Sequence, residues 1–289
     1  MKSEMKWMRA FALAVFAAYA ALLCGFSFLP KTAFAEETRY CADVVYGGEG
    51  SSVEDNYYIY HDYKVVREDH SHMSAPSYGG TSLGQNDICA PVSGLNVTVF
   101  YDRYFPNLIP NFEPGMVSNG TYRYFPDVDW PQANAAVQEL YDLMHTNDGA
   151  PGTLDTDFKN GLIEYFDDHG YTLSYGDFYE SEDTVDLSAL AAAVDQNKVG
   201  IIMCSAYNFV YGMMEVDNGA ATYIVKSNAN VGHIMMVYGY MIVDYYRDGA
   251  VFQSDTFLYV SSGYGMASQG YVLLSDYLSI DEALIANVS

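Results

Sequence analysis

The spacing of apolar residues changes along the chain, and the change predicts which elements form where. Between about residue 130 and residue 195, apolar residues recur every three or four positions, as on one face of a helix. After residue 196, β-branched and aromatic residues form runs separated by turns, which is typical of strands. The predicted helices cover residues 134–145, 155–169 and 187–194. The predicted strands cover residues 199–206, 221–226, 232–245, 257–260 and 270–275.

A further helix is predicted over residues 89–105, between a polar, turn-forming segment and Pro106. Several β-branched residues and Gly94 disfavour a helix there. We therefore expect this helix to be buried on most sides, because tertiary packing supplies most helical stability. Cys89 would lie at its amino-terminal end, where unsatisfied N–H groups and the helix dipole favour a thiolate over a thiol.

Helices followed by antiparallel strands predict an α+β fold in which the two kinds of element lie in separate layers. The tyrosine-rich segment before residue 84 is irregular, although residues 57–60 and 63–66 could pair as a hairpin. No internal repeat or low-complexity linker divides the chain. We expect residues 36–289 to form a single domain.

Residues 1–35 have the pattern of a secretory signal peptide. Basic residues precede an apolar run from Ala10 to Leu29, and the segment ends in Ala33-Phe34-Ala35. We predict cleavage after Ala35 and a secreted, extracellular protein without stable membrane association. An uncleaved anchor is the alternative, since the run is about long enough to span a bilayer, and it would retain the protein at the cell surface.

The chain is strongly acidic, with 13 Lys and Arg against 37 Asp and Glu. Removal of residues 1–35 takes away four bases and one acid, so the net charge changes from −24 to −27. Such a surface repels nucleic acid and anionic membranes, and we expect neither as a partner. Half of the residues are apolar, including 28 Tyr and 15 Phe, so the chain can bury a sizeable core.

Three cysteines remain after cleavage, so at least one thiol is unpaired within the chain. Cys204 lies in an apolar run and is predicted to be a buried strand residue, while Cys41 either bridges to Cys204 or is free. Cys89 is the candidate nucleophile. His233 begins a long apolar strand and is the candidate base, which would take the thiol proton and later protonate a leaving amine.

No metal or cofactor site is predicted. His70 and His72 stand beside Glu68 and Asp69, but no strong ligand spacing accompanies them, and a solvated polar loop is expected there. The aspartates near residues 127–129 and 155–157 lack the pattern of a calcium loop.

Three short motifs together resemble a known family. They are QNDICAPVSG around Cys89, GHIMMVYGY around His233, and FLYVSSGYGMASQGYVLL from residue 257. In this order they resemble the papain-like cysteine peptidases, above all the bacterial streptopain-like enzymes and the peptidases that process double-glycine bacteriocin leaders. The resemblance spans residues 84–275. It implies a papain-like fold, with an amino-terminal helical lobe whose central helix carries the nucleophile and packs on a carboxy-terminal antiparallel sheet.

The resemblance also implies roles for further residues. Ser261 stands where the family has the Asn or Asp that orients the histidine. A serine would hold the ring weakly, so the site is either a Cys-His dyad or one in which Asp255 reaches His233 from an adjoining turn. The family's oxyanion glutamine would fall at Leu83, and Gln85 is the nearby residue that could supply this amide.

The predicted function is that of a secreted cysteine peptidase, a hydrolase of peptide or isopeptide bonds in a peptide or protein substrate. Its nucleophile would be a Cys89 thiolate activated by His233. One alternative is an amide acyl-transferase of the same fold. Another is a catalytically inactive papain-like extracellular binding module with a tyrosine-rich ligand face.

Overall fold

A computed structural model describes most of the chain from residue 39 onward, and the predicted signal peptide lies outside the described residues. The described residues are 39–42, 54–61, 65–72, 75, 77–78, 85–112, 124–125, 131–216, 221–247, 250–263, 269–274 and 278–289. Within these ranges, no helix combines the length and the apolar character that crossing a bilayer requires.

All four predicted helices are present in the described part of the chain. They are α1 (Cys89–Asp102), α2 (Pro131–Leu143), α3 (Asp155–Asp168) and α4 (Leu187–Asp195). Helix α1 begins at Cys89 as predicted but ends three residues early. Helix α2 begins three residues early at Pro131, a residue well suited to the first position of a helix. Gly170, with φ +85°, follows the end of α3 as the predicted stop.

Fourteen strands lie in the described ranges, more than the sequence predicts. They are β1 (Arg39–Ala42), β2 (Glu54–His61), β3 (Val65–Ser71), β4 (Ser77–Tyr78), β5 (Tyr124–Phe125), β6 (Leu173–Asp177), β7 (Tyr179–Ser181), β8 (Thr184–Val185), β9 (Gly200–Val216), β10 (Ala221–Ala229), β11 (His233–Arg247), β12 (Ala250–Ser261), β13 (Gln269–Leu274) and β14 (Ser279–Val288). Strands β4 and β5 form a short parallel pair, and β7 and β8 form a short antiparallel pair.

The remaining strands form one ten-stranded antiparallel sheet, which confirms the predicted α+β class. The strand order is β1-β2-β10-β9-β13-β12-β11-β3, and β14 joins β9 to β6. Strand β9 pairs with β11 through its first residues and with β13 further along, while β12 lies between β13 and β11. These four strands therefore close on themselves, and His233 lies where β9 and β11 meet.

The predicted hairpin between residues 57–60 and 63–66 is wrong, and so is the strict separation of helices first and strands second. Strand β2 pairs with β1 and β10, whereas β3 pairs with β11. The physical reason is that β10 and β11 each present an open edge whose backbone groups need partners. Strands from the amino-terminal part of the chain satisfy both edges.

Helix α1 is the centre of the core, as its composition predicts. Every residue from Ala90 to Asp102 is buried, and the helix packs against α2, α3 and β11. A Cβ atom on Gly94 would lie 2.8 Å from Cε of Met144, so the glycine lets the segment after α2 approach α1 closely. Packing on all sides thus compensates for the poor helix propensity of this segment.

The strands beneath α1 are buried on both faces. In β9 and β11, Ile201, Met203, Ile234 and Met236 belong to the core that contains α1. Their neighbours Ile202, Cys204, Met235 and Val237 belong to a second core on the other face, which contains α4. This alternation explains why both strands appear in the sequence as continuous apolar runs.

Candidate active site

The thiol of Cys89 lies at the first residue of α1, next to the start of β11. Backbone N–H groups of Cys89, Ala90 and Ile234 are directed at the sulfur, and each lowers the thiol pKa. Burial has the larger effect and raises the pKa of Cys89 above its ordinary value, and the Asp87 carboxylate adds to this. The expected thiolate is therefore corrected: the helix terminus acts in the predicted direction, but desolvation outweighs it and the resting thiol is neutral.

His233 is held by three neighbours at the start of β11. The residue is 7 % exposed, pairs with Cys204 across the β9–β11 ladder, and stacks on the ring of Tyr207 at 5.5 Å between centroids. Its Nε2 lies 2.7 Å from the backbone carbonyl oxygen of Ser262. A carbonyl only accepts hydrogen bonds, so Nε2 carries the hydrogen and the neutral ring has its lone pair on Nδ1.

Burial also determines the charge of this imidazole. Desolvation lowers the pKa of His233 to about 4, because the bond to the Ser262 carbonyl only partly compensates for the loss of water. Above that pH the ring is neutral. The site at neutral pH thus combines an uncharged thiol with an uncharged imidazole that can accept a proton on Nδ1.

Cys89 and His233 line the same cavity, which has a volume of about 340 Å³. Its walls come from five parts of the chain: residues 87 and 89, the loop 151–153 with Asp155, residues 203–204 of β9, the segment 231–234, and Asp281 of β14. The volume falls in the range of small-ligand and side-chain pockets. The cavity also contains the thiol of Cys204 and the carboxylates of Asp87, Asp155 and Asp281.

The third sequence motif, which begins at residue 257, contacts His233 through its backbone. Ser261 is fully buried at the end of β12, opposite Met236, and the next residue supplies the carbonyl that contacts His233. Gly263 has φ +78°, and a Cβ there would lie 3.1 Å from Cγ1 of Val92 in the first turn of α1. The described part of this motif therefore touches both the histidine strand and the cysteine helix, while Tyr264 and Gly265 lie outside the described residues.

The Ser262 carbonyl is the orienting group that the sequence does not identify. The resemblance points to the side chain at Ser261, whereas the contact seen in the structure is made by the backbone of the following residue. A main-chain carbonyl has no signature in the sequence, because every residue carries one. The role assigned to the Ser261 side chain stays a prediction.

Two other predicted site residues lie elsewhere. Gln85 is exposed in the turn before α1 and is not among the residues that line the cavity. Asp255 lies within β12 opposite Val243, ten residues along β11 from His233. At about 3.3 Å per residue the separation along the strand is roughly 33 Å, so the alternative in which Asp255 orients His233 is wrong. Asp255 belongs to an extended strand and not to an adjoining turn.

Of the two other cysteines in the predicted mature chain, the structure describes the side chain of Cys204 only. Cys204 is a free, buried thiol in β9, as its apolar surroundings predict, and it forms no bridge to Cys41. Burial raises its pKa, and Asp281 adds to this. The side chain of Cys41 is outside the described part of the structure.

The histidine pair at residues 70 and 72 is not part of a solvated loop, which corrects that expectation. His70 is in β3, which pairs with β11, and its Nε2 lies 3.2 Å from Oδ1 of Asp195. His72 donates from Nε2 to the carbonyl of Lys198 at 2.6 Å and contacts the ring of Phe100. Among the residues described, no three or more His, Cys, Asp or Glu side chains are arranged so that they could hold a metal ion together.

Comparison of the chain with protein-family models, with curated proteins and with solved structures finds no match in any of the three. A function must therefore be inferred from the geometry of the site.

Proposed function

We propose that the protein is a papain-like cysteine peptidase that cleaves a peptide or isopeptide bond with Cys89 as nucleophile and His233 as base. The observation that carries this proposal is the shared cavity: two residues about 140 positions apart, on a helix and a strand, line the same space. A central helix packed on an antiparallel sheet is consistent with the papain-like architecture that the motifs suggest.

An uncharged Cys89 thiol and an uncharged His233 imidazole suit a mechanism in which the thiol loses its proton as the sulfur attacks the substrate carbonyl. The Cys89 sulfur attacks the carbonyl carbon while its proton moves to Nδ1 of His233. The imidazolium then protonates the amine as the carbon–nitrogen bond breaks, leaving a thioester on Cys89. Water, deprotonated by the same imidazole, hydrolyses the thioester and restores the thiol.

The surrounding backbone would assist at two points. The N–H groups of Cys89, Ala90 and Ile234 face the sulfur and stabilise negative charge that develops there. The Ser262 carbonyl fixes the tautomer of His233 by accepting from Nε2. Because a carbonyl is neutral, it stabilises an imidazolium less than a carboxylate would. We therefore expect a slower enzyme than one with a charged orienting group.

A turnover assay tests the proposal. The purified protein is incubated with a mixture of peptides, and new amino termini are counted by mass spectrometry. Cys89→Ala and His233→Gln should each lower the rate by about 10²-fold or more. Cys204→Ala is the matched control, since it removes a thiol from the same cavity and should leave turnover largely unchanged. Undiminished turnover in Cys89→Ala would refute the proposal.

A catalytically inactive binding module is the second candidate, and two observations favour it. The thiol pKa is raised and not lowered, and Gln85 does not line the cavity. This candidate predicts peptide binding that survives Cys89→Ala, with no new amino termini. The amide acyl-transferase alternative predicts that a primary amine added to the assay appears in the product. The assay with added amine, together with a peptide-binding measurement on Cys89→Ala, separates all three functions.

A further inference from the structure

The loop that joins α2 to α3 forms one wall of the cavity and has an unusual backbone. Four of its residues have positive φ: His145 at +50°, Asn147 at +61°, Gly149 at +81° and Gly152 at +89°. Asparagine and glycine tolerate this conformation better than other residues do. These residues therefore suit the tight turns of the loop.

Asn147 closes this loop on itself. Its backbone N–H donates to the carbonyl of Gly152 at 2.7 Å, and its Oδ1 accepts from the N–H of Gly152 at 2.8 Å. Next to it, the hydroxyls of Thr146 and Thr153 lie 2.7 Å apart. Since residues 151–153 line the cavity, Asn147 bonds directly to a residue of this wall.

The other end of the same amide reaches the segment before Cys89. Nδ2 of Asn147 donates to the backbone carbonyl of Asn86 at 3.0 Å, and the same nitrogen lies 3.3 Å from the hydroxyl of Tyr141. Asn86 precedes Asp87 and Cys89, which also line the cavity. One side chain thus connects two walls that are about 60 residues apart in the chain.

We propose that Asn147 is the positioning residue of the site: it holds the loop 151–153 and the segment 86–87 together and so fixes Cys89 within the cavity. The inference rests on the proposed function only in one respect: fixing Cys89 matters for catalysis if Cys89 is the nucleophile. The connection itself can be tested whether or not the protein turns over a substrate.

One substitution removes the contact of the amide nitrogen and keeps the contact of the amide oxygen. Asn147→Asp preserves the size of the side chain and the oxygen that accepts from Gly152, but it removes the donor and places a carboxylate against the Asn86 carbonyl. Asn197→Asp is the matched control. Asn197 also has positive φ, at +57°, and accepts from the hydroxyl of Tyr104, which follows the other end of α1.

The experiment uses the full-length protein and two readouts. Hydrogen exchange is followed in peptides that cover residues 85–92 and 148–154. The pH dependence of Cys89 alkylation by iodoacetamide is followed by mass spectrometry, which resolves it from Cys41 and Cys204. Exchange reports local opening, and the alkylation midpoint reports desolvation of the thiol.

In Asn147→Asp we expect exchange at residues 85–92 to rise about fivefold or more, because that segment loses its tether, while residues 148–154 stay protected. In the uncharged variant Asn147→Gly the alkylation midpoint should move to lower pH, because water then reaches the thiol and no new carboxylate raises its pKa. Asn197→Asp should change neither readout.

Unchanged exchange at residues 85–92 in Asn147→Asp would overturn the proposal, as would equal changes in both variants. If Asn147→Asp does not fold, Asn147→Gly takes its place, since glycine keeps the positive φ and the backbone bond to Gly152. That variant should accelerate exchange in both peptides, and protection retained at residues 85–92 would be equally decisive against the inference. Absence of turnover in the wild type, with hydrogen exchange responding as expected, would instead refute only the proposed function.

Discussion

The buried, neutral imidazole of His233 should make the protein sensitive to mild acid. Its pKa is about 4 in the folded state and 6.5 as an ordinary histidine. Between these values the unfolded chain binds a proton that the folded chain does not. Stability should therefore be unaffected by His233 above pH 6.5 and should fall as the pH decreases from 6.5 toward 4.

The size of the effect follows from the two pKa values. Over the whole window the loss is about 3 kcal/mol, since one unit of pKa difference corresponds to about 1.4 kcal/mol. Between pH 7 and pH 5 the same linkage gives roughly 2 kcal/mol, which is a large fraction of the stability of a typical domain.

The assay compares urea unfolding of the wild type and His233→Gln at pH 7, 6 and 5. Glutamine cannot take up the proton, yet its Nε2 can still donate to the Ser262 carbonyl. Other groups also have shifted pKa values, including His72, which is lowered, and Asp102, which is raised. Both proteins contain these groups, so the difference between the two stability curves isolates His233.

We expect the advantage of the wild type over the variant to shrink by roughly 2 kcal/mol as the pH falls from 7 to 5. A difference that stays constant within about 0.5 kcal/mol would show that folding does not lower the pKa of His233, and the argument from burial would then be wrong.

Two further substitutions test the neighbours of the pair. Gly263→Ala should cost about 1–2 kcal/mol for its positive φ, plus the cost of displacing Val92, whereas Gly170→Ala has the same φ requirement and open space around it. Equal unfolding free energies for the two would contradict the contact with α1. Asp87→Asn should lower the pKa of Cys89, because it removes a carboxylate that raises it, and the pH midpoint of Cys89 alkylation should fall. An unmoved midpoint would mean that Asp87 does not contribute to that pKa.

The local spacing of apolar residues was sufficient to predict most of the helices. Helices α2 and α3 show apolar residues at helical spacing, and their buried positions are the ones that this spacing selects. Strands β6 and β14 were not predicted, because their burial alternates only in part and each depends on a partner far away in the chain.

The sequence by itself determined that Cys89 begins a buried helix and that His233 begins an apolar strand, because both follow from turn residues and apolar runs within a few positions. Only the tertiary structure decided that the two residues line one cavity, that Ser262 bonds to His233 and Asn147 to Asn86, and that burial favours a neutral thiol over the expected thiolate. Hydrogen bonds to backbone groups and the loss of water depend on what folding brings together, and a linear pattern carries no record of either.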